Sequence, residues 1–517
     1  MGVTAGPPTD GILSGERRMS LAAFSDRVAW AAAGFAAEGL RSGDGVAILM
    51  RNDIPFLEAT EGAQRLGAYA VPINWHSKTE EVRYILGDCG ARILVGHADL
   101  LRDIRDGIPD DTLVLSIETP PEVAEAYRIA PEAMRADPRD TEWERWLAAH
   151  PSDGARAGGA PRDSIIYTSG TTGKPKGVRR ATPAPEASAR IEAMRRLVYG
   201  FRPGMRTVMT APMYHSAPNS YALRAVRQAS LVVLMPRFDA ETLLRTIERE
   251  RITHLFMVPT MFVRLLKLPA ETRARYDLSS LEFIIHAGAP CAPDVKAGMI
   301  AWLGPIIHEF YGGTESGSVT YCDSHDALAH PGTVGRPVEG AVVQIHREDG
   351  SLAAPGETGE IFMRISYYPD FAYIGRDDLR REIERDGLIT CGDVGYLDPD
   401  GFLFICDRKR DMVIVGGVNV YPAEIEAILT GMDGVRDCAV FGIPDDVYGE
   451  ALMAAVEPLE GRTVEPDAVQ AYLRDHLADF KVPRTVEIVP SLPREDTGKI
   501  FKRRLRDPYW EGRGRAI

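Results

Sequence analysis

The sequence predicts an α/β protein with a large N-terminal domain of doubly wound sheets, a small β-barrel-like subdomain and a small mobile α+β C-terminal domain. Over residues 19–310, helical segments alternate with short apolar runs, which is typical of a parallel sheet covered by helices on both faces. Over residues 335–405, glycine-punctuated runs with period-two alternation indicate antiparallel strands. A chain of 517 residues is also too long for one hydrophobic core.

The N-terminal elements follow from the spacing of apolar residues. Leu21, Phe24, Val28 and Phe35 recur at helical intervals among alanines, and the segment ends at a Ser-Gly-Asp-Gly run. Runs of β-branched and aliphatic residues mark the strands that follow. We predict helices over 19–40 and 56–68, and strands over 45–50, 91–95, 112–116 and 165–167.

The alternation resumes in the second half of the chain. Asp239 suits the N-cap of a helix because its carboxylate can accept from free first-turn amides. The residue pattern changes after Asp407, so we place a boundary at 408–411 and divide the chain into domains 1–409 and 410–517. The predicted elements are strands over 231–235, 253–258, 281–285, 305–310, 341–345, 359–363 and 438–441, and helices over 241–251, 423–429 and 468–477.

Composition and charge exclude several classes of protein. The chain carries 60 basic and 74 acidic side chains, a net charge of −14, which argues against nucleic acid or an anionic membrane as the main partner. Six scattered cysteines without a C-x-x-C pair indicate reduced thiols and a cytoplasmic protein. No apolar run approaches the ~20 residues of a membrane span, and residues 1–10 do not resemble a signal peptide.

A glycine- and hydroxyl-rich loop follows the predicted strand at 165–167. Its hydroxyls and free amides can bond an anion, and its lysines supply positive charge, so it suits a phosphate or pyrophosphate. The spacing from Gly170 to Lys174 is too short for a Walker loop, and Pro175 obstructs the helix that a Walker loop opens. Two strands joined by a mobile lid fit better, although a flexible turn is the alternative. The loop residues are Thr168, Ser169, Gly170, Thr171, Thr172, Gly173, Lys174 and Lys176.

A second motif, Tyr311-Gly312-Gly313-Thr314-Glu315, follows the predicted strand at 305–310. The aromatic ring can stack on a base, and the glycines allow a ligand to approach the backbone. Thr314 can bond a phosphate oxygen, and Glu315 is a hard oxygen ligand suited to Mg²⁺. Taken alone, the motif is equally an ordinary turn at a strand end.

Together these motifs resemble the signatures of the adenylate-forming superfamily, which comprises acyl-CoA synthetases, firefly-type luciferases and peptide-synthetase adenylation domains. The resemblance, closest to the acyl-CoA synthetase branch, extends from about Leu21 to Arg506. Thr390-Cys391-Gly392-Asp393 is similar to the motif whose aspartate binds the ribose hydroxyls, and Arg408 to an arginine that contacts ribose or phosphate. Pro493–Ile500 is similar to the motif that carries the catalytic lysine, here Lys499.

The resemblance implies roles for individual residues. Arg410 stands where the family has its hinge residue, more often Asp or Lys, and Gly416 and Gly417 are expected to line the CoA channel. The implied catalytic residues are Lys499, Glu315, His215 and Thr168, with Glu315 also the metal ligand. The implied nucleotide-binding residues are those of the 168–176 loop named above together with Gly288, Ala289, Pro290, Glu309, Phe310, Tyr311, Gly312, Gly313, Thr314, Asp393, Arg408 and Lys499.

The same resemblance locates the acid pocket around Pro212–Ser216. No aspartate stands where peptide-synthetase domains hold an ammonium group, and an unpaired buried amine is costly, which disfavours amino acids. The expected walls are small or apolar, so we expect a fatty, aromatic or alicyclic acid. The expected wall residues are Tyr214, His215, Asn219, His286, Gly288, Gly312 and Ser316.

The expected activity is ATP-dependent ligation of a carboxylic acid to CoA through an acyl-AMP, with ATP, Mg²⁺ and CoA required. A cation such as Lys499, about 4 Å from the reacting phosphate at a dielectric near 20, contributes roughly 4 kcal/mol. That is on the order of a thousandfold in rate. Three alternatives remain: an acyl-AMP ligase for a carrier-protein thiol, a luciferase-like oxygenase and a non-catalytic acyl-nucleotide binder. The particular acid, and whether the protein is a monomer or a homodimer, stay open.

Overall fold

The computed structural model describes residues 10–152, 161–168, 174–415, 418–445, 449–494 and 500–511. Over these residues the fold is mixed α/β, with a large N-terminal part of several sheets and a smaller C-terminal part that has its own sheet. The predicted fold class is therefore confirmed. The domain boundary between residues 409 and 410 stays a prediction.

The first part of the chain builds a five-stranded parallel sheet, and its first two strands, β1 and β2, join the nine-stranded sheet of the central part. The elements are β1 Gly11–Ser14, β2 Arg17–Met19, α1 Leu21–Ala37, β3 Gly45–Leu49, α2 Ile54–Arg65, β4 Tyr69–Pro72, α3 Thr79–Cys89, β5 Ile93–His97, α4 Ala98–Asp103, β6 Leu113–Ile117, α5 Pro121–Tyr127, β7 Thr141–Glu142 and α6 Trp143–Ala148. The strands lie in the order β4-β3-β5-β6-β7 and all neighbours are parallel. The predicted helix–strand alternation is observed here.

The central part builds a nine-stranded sheet in the order β16-β15-β14-β13-β12-β10-β11-β1-β2. Its elements are β8 Ile166–Thr168, β9 Lys176–Arg180, α7 Pro185–Tyr199, β10 Arg206–Met209, α8 Ser216–Gln228, β11 Leu231–Leu234, α9 Ala240–Glu250, β12 His254–Met257, α10 Pro259–Leu266, α11 Ala270–Arg273, β13 Phe283–His286, α12 Pro293–Leu303, β14 Ile307–Gly313, β15 Gly317–Cys322, α13 Ser324–Ala329 and β16 Arg336–Pro337. Strands β10 to β14 pair in parallel, so their carboxyl ends meet at one edge, where ligands bind in open α/β sheets.

The region after residue 340 is antiparallel, as its period-two alternation predicts. Its elements are β17 Ala341–His346, β18 Gly359–Ile365, β19 Phe371–Tyr373, α14 Asp377–Glu382, β20 Glu384–Arg385, β21 Leu388–Leu397 and β22 Leu403–Arg408. Five of these strands form one sheet, while β19 joins β9 and β8 in a separate three-stranded sheet. That small sheet links the two motif-bearing regions.

The C-terminal part has a five-stranded sheet and its own apolar core. Its elements are β23 Val413–Val415, β24 Val418–Val420, α15 Pro422–Leu429, β25 Val435–Asp445, β26 Gly449–Pro458, α16 Pro466–Arg474, β27 Thr485–Ile488 and α17 Lys502–Trp510. Val413, Ile425, Val440 and Leu473 belong to a core cluster separate from that of the nine-stranded sheet. None of the described helices combines the length and apolarity needed to cross a membrane.

Local sequence explains both a confirmed cap and a missed helix. Asp239 accepts from the Thr242 amide at 2.8 Å and caps α9 as predicted. Helix α8 was not predicted because Pro218, Asn219 and Ser220 resemble a loop. Pro218 is tolerated because it lies in the first turn, and the Asn219 side chain donates to the Met213 carbonyl at 2.9 Å.

Candidate active site

A cleft of about 2780 Å³ lies at the carboxyl edge of the nine-stranded sheet, between that sheet, the antiparallel region and the C-terminal part. Most of the predicted residues that the structure describes contribute to its lining. These are Thr168, Lys176, Tyr214, His215, Asn219, Gly288, Ala289, Pro290, Glu309, Phe310, Tyr311, Gly312, Gly313, Thr314, Glu315, Asp393, Arg408 and Arg410.

Tyr311, Asp393 and Arg408 form one corner of this cleft. The Tyr311 hydroxyl donates to Asp393 at 2.8 Å, and Arg408 Nε lies 3.5 Å from the other Asp393 oxygen. Burial and the Asp393 carboxylate raise the pKa of Tyr311 well above its usual value, so the phenol remains a donor. Burial lowers the pKa of Arg408, but Asp393 and Asp411 together with weaker neighbours raise it overall, and the guanidinium stays charged. The carboxylate keeps unused lone pairs for two ligand hydroxyls.

A tight hairpin holds the 311–315 motif against β15. The Ser316 hydroxyl accepts from the Gly313 amide at 2.8 Å and donates to the Gly317 carbonyl at 3.1 Å. A Cβ on Gly312 would lie 1.8 Å from the Gly317 carbonyl oxygen, and one on Gly313 would lie 2.7 Å from Cys391 Sγ. Gly312 is therefore required by the close approach of the backbone, whereas at Gly313 the close neighbour is a side chain. Ser316 is buried in the hairpin and does not line the main cleft.

The strands on either side of the glycine- and hydroxyl-rich 168–176 loop form an antiparallel pair. Thr168 on β8 lies opposite Lys176 on β9, so the chain enters and leaves the loop at one place, as the predicted two-strand arrangement requires. Lys174 Nζ lies 5.2 Å from the centre of the Tyr84 ring. Ser169, Gly170, Thr171, Thr172 and Gly173 lie outside the described residues, and their roles stay predictions.

Tyr373 on β19 lies between Lys176 of β9 and the Glu315 carboxylate. Its hydroxyl donates to Glu315 Oε1 at 3.0 Å, and Lys176 Nζ lies 5.0 Å from the centre of its ring. Burial and the Glu315 charge raise the pKa of Tyr373. The Tyr373 hydroxyl thus engages one carboxylate oxygen of Glu315, and the role of Glu315 as a Mg²⁺ ligand stays a prediction. Tyr373 was not identified from the sequence, where it is one aromatic residue in an ordinary strand.

A buried ion pair lies beneath the start of the 311–315 motif. The Lys296 ammonium on α12 bonds the Glu309 carboxylate on β14 and donates to the Thr333 carbonyl at 3.0 Å. Burial lowers the pKa of Lys296, but Glu309 raises it overall. The Glu309 side chain is thus engaged inside the protein, while its predicted nucleotide contact stays a prediction. Lys296 was missed because a helical lysine is normally solvated.

His286 is fully buried next to this pair. Its Nδ1 lies 3.8 Å from Glu309 Oε1, and neither ring nitrogen has a hydrogen-bond partner among the residues that the structure describes. Burial and the nearby Lys296 charge lower the pKa of His286, so the ring is neutral. His286 is not among the residues that line the cleft, and its place in the pocket wall stays a prediction.

Tyr214 and His215 form the entrance to α8. Their ring centres lie 4.3 Å apart, and the His215 carbonyl accepts from the Asn219 amide at 2.9 Å as the helix begins. Trp75 packs edge-on against Tyr214 with ring centres 6.4 Å apart. These contacts fix the two aromatic side chains after the end of β10, in the wall of the cleft that the 311–315 motif also lines.

The predicted hinge lies at the start of the C-terminal part. The Arg410 carbonyl accepts from Arg506 on α17 at 3.4 Å. Burial, and then the Arg408 charge, lower the pKa of Arg410. Lys499, Gly416 and Gly417 lie outside the described residues, so their roles stay predictions. Ile500, which follows Lys499, pairs with Arg494 and lines the cleft.

Arg180 on β9 supports the C-terminal end of the 311–315 motif. Its Nη2 donates to the Thr314 carbonyl at 2.5 Å and to the Glu315 carbonyl at 3.0 Å. Its guanidinium also packs on the Tyr368 ring at 4.5 Å. This role is hard to predict from the sequence, because a basic residue after the 168–176 loop resembles one more phosphate ligand.

Two family models match this chain. The AMP-binding enzyme model matches residues 4–367, and the AMP-binding enzyme C-terminal domain model matches residues 424–499. The chain belongs to the AMP-binding enzyme family. Similar curated members of the family cover almost its whole length.

Three relatives illustrate the range of this AMP-binding enzyme family. A feruloyl-CoA synthase of an Amycolatopsis species is 32% identical over 97% of this chain and 96% of its own. A ligase of Mycobacterium tuberculosis that joins a methyl-dioxo-octahydroindenyl propanoate to CoA is 34% identical over 97% and 96%. A fatty acid–[acyl-carrier-protein] ligase of Streptomyces coeruleorubidus is 31% identical over 95% and 91%.

A solved structure of this AMP-binding enzyme family has the same fold. ATP-bound MatB from Rhodopseudomonas palustris matches with a TM-score of 0.81 and 27% identity, over 97% of this chain and 96% of that one. The agreement covers both the N-terminal and the C-terminal parts of the molecule.

Proposed function

We propose that the protein is an ATP-dependent carboxylic acid–CoA ligase that acts through an acyl-AMP intermediate. The observation that carries the proposal is the meeting of two groups at one sheet edge. Tyr311, Asp393 and Arg408 suit a ribose, while Glu315 and Lys176, joined through Tyr373, suit the polyphosphate. The names of similar proteins, which include CoA ligases for aromatic and alicyclic acids, support the same conclusion.

In the first step, a carboxylate oxygen of the acid attacks the α-phosphorus of ATP, and the bond to pyrophosphate breaks. Asp393 holds the ribose hydroxyls, and the hairpin around Gly312 and Gly313 lets the nucleotide lie against the backbone. Lys499 supplies a cation that stabilises negative charge on the pentavalent phosphorus. Glu315 is the residue that would hold Mg²⁺, which neutralises phosphate charge when bound.

In the second step, the CoA sulfur attacks the acyl carbon, AMP leaves and the thiol proton is released. The C-terminal part carries Lys499, Gly416 and Gly417, so rotation about Arg410 would exchange the lysine for a CoA channel. A fatty, aromatic or alicyclic acid fits a wall built from Tyr214, His215 and Gly288.

One experiment separates this proposal from its rivals. Purified protein is incubated with ATP, Mg²⁺ and a panel of fatty, aromatic and alicyclic acids, and AMP and thioester are measured with and without CoA. We expect acid-dependent AMP release and an acyl-CoA product. Glu315→Gln should lower both, whereas Glu339→Gln, which removes an exposed carboxylate, should lower neither.

Two other results would redirect the assignment. If AMP release occurs but the acyl group is transferred only to a carrier-protein thiol, the protein is an acyl-AMP ligase of the kind named for the Streptomyces relative. If no acid in the panel releases AMP, the ligase assignment is wrong.

A further inference from the structure

We propose that the acid pocket ends in an oxygen-binding corner formed by Asp163, Arg195 and Arg224. On the proposed ligase function, this arginine corner selects acids that carry a second carboxylate or a ketone at the end remote from the reacting carboxylate. The sequence predicted an apolar or small-residue wall, so the corner adds a specificity element that the motifs do not contain.

The two arginines are buried and share one carboxylate. Arg195 and Arg224 are only 8% and 9% exposed. Arg195 donates to Asp163 at 3.1 Å and Arg224 to its other oxygen at 3.0 Å. Asp163, Arg195 and Arg224 line the same cleft as Tyr311, Asp393 and Arg408. Asp163 therefore fixes both guanidinium groups at the wall of the cavity.

Positive charge is in excess at this corner. Arg195 and Arg224 pair with the carboxylates of Asp163 and Glu192, and Arg180 adds a further positive charge that acts on Asp163. Burial raises the pKa of the nearby Tyr368, but the charges of Arg195 and Arg180 lower it overall. The corner is thus a positive region that favours an anion or a carbonyl oxygen.

Two buried donors at the corner lack partners within the described part of the chain. Arg224 Nε has no hydrogen bond and lies 3.8 Å from the nearest Glu192 oxygen. The hydroxyl of Ser164, which follows Asp163 and also lines the cleft, has none either. An unsatisfied buried donor is costly, and a ligand oxygen would satisfy it, whereas a purely alkyl acid would not.

Helix α8 connects the corner to the reacting end of the pocket. His215 lies at its N-cap, and Ser220 and Arg224 lie one turn apart on the cleft side. Arg224 Nη1 donates to the Ser220 hydroxyl at 3.0 Å, which holds it on that face. A rise of 1.5 Å per residue separates His215 from Arg224 by about 14 Å. An acid extended along α8 would place its far end at the corner.

The test compares decanoic acid with decanedioic acid and with a decanoic acid that carries a ketone at its penultimate carbon. The readout is kcat/KM for AMP release, expressed as the ratio of each oxygen-bearing acid to decanoic acid. This ratio does not depend on how much of a variant is folded. The variants are Arg224→Gln and, as a matched control, Arg227→Gln. Arg227 also lies on α8, but it pairs with Glu61 of α2.

We expect wild type and Arg227→Gln to prefer at least one oxygen-bearing acid by about tenfold or more. Arg224→Gln should reduce that ratio to about one. The diacid and the ketone reveal which oxygen is recognised. Equal use of all three acids by wild type, or the same ratio in both variants, overturns the corner alone. Failure of every acid to release AMP overturns the ligase function as well.

Discussion

Two ion pairs flank the 311–315 motif. They differ in how deeply they are buried and in whether their carboxylate keeps lone pairs for a ligand. Lys296 and Glu309 lie beneath it with side chains 5% and 4% exposed. Arg408 and Asp393 lie at the cleft with side chains 41% and 12% exposed. The buried pair is saturated by protein contacts, whereas the open pair keeps oxygen lone pairs for a ligand.

This difference in burial indicates different roles: the buried pair supports the fold, and the open pair binds the nucleotide. A buried pair contributes little net stability compared with apolar packing, but losing one partner is costly because a charge is left unpaired. An open pair is screened by water and contributes little to stability. We therefore expect substitutions at the buried pair to affect folding and substitutions at the open pair to affect nucleotide binding.

The largest effect is expected from Lys296→Met. Removing the lysine leaves Glu309 buried without its cation, which costs about 3–5 kcal/mol of unfolding free energy. Thermal and denaturant unfolding would measure the loss. A double variant that also carries Glu309→Gln should recover much of the loss, because no unpaired charge remains.

The same variant should depend on pH in a defined direction. Burial already raises the pKa of Glu309, and Lys296 opposes that rise, so removing the lysine raises the pKa further. A group whose folded-state pKa is raised contributes stability below its unfolded pKa that is lost as pH rises through the folded value. The deficit of Lys296→Met relative to wild type should therefore be smaller at pH 5 than at pH 8. A deficit that grew on acidification would contradict this account.

The next largest effect is expected from Lys499. This lysine belongs to the C-terminal part and is proposed to act on the nucleotide that Asp393 and Arg408 bind. Lys499→Ala should slow acyl-AMP formation by about a thousandfold, since a nearby cation contributes roughly 4 kcal/mol at an intermediate dielectric. Thioester formation from supplied acyl-AMP should change little, because the phosphorus chemistry is already complete. Single-turnover assays of each half-reaction would measure the two rates.

Lys481→Ala is the matched control, because this lysine belongs to the same part of the chain, pairs with Glu424 and is not among the residues that line the cleft. It should leave both half-reactions near wild type. Equal slowing of both steps in Lys499→Ala would instead indicate a general structural defect.

The two sides of the cleft also differ in what the sequence could predict. The nucleotide side depends on short motifs, so Tyr311, Glu315 and Asp393 could be assigned from contiguous residues. The arginine corner joins Asp163, Arg195 and Arg224, which are far apart in the chain and resemble ordinary surface charges. Their burial depends on how α7 and α8 pack, and no local pattern encodes that packing.

The fold shows the same limit. Strands such as Leu231–Leu234 were predicted because buried parallel strands are continuous apolar runs. Helix α8 was missed because Pro218, Asn219 and Ser220 in its first turns resemble a loop, although the Asn219 side chain bonds the Met213 carbonyl just before the helix. Periodicity thus predicts elements with a continuous apolar pattern, but not a helix whose first turns have the composition of a loop.

A smaller effect tests how firmly the open pair is positioned. Gly313→Ala would place a Cβ 2.7 Å from the Sγ of Cys391. Cys391 lies two residues before Asp393, so a shift of this side chain would disturb the open pair. Such overpacking typically costs about 1–3 kcal/mol of unfolding free energy. We expect a raised KM for ATP and a lower thermal midpoint. Adding Cys391→Ala should relieve both, because the next neighbouring atom, Glu315 Oε2, is 3.4 Å away. No relief in the double variant would mean that the glycine is needed for ligand approach rather than for packing.

The smallest effect is expected from Tyr311→Phe, which keeps the ring and removes only the hydroxyl that donates to Asp393. Because one hydrogen bond to a charged group is lost, KM for ATP should rise by about tenfold. The kcat should stay near wild type, since the hydroxyl positions the ribose ligand and does not touch the reacting phosphorus. Unfolding should also change little, in contrast to Lys296→Met. A fall in kcat with unchanged KM would show that Tyr311 acts on the chemical step, and the distinction between the supporting pair and the recognition pair would fail.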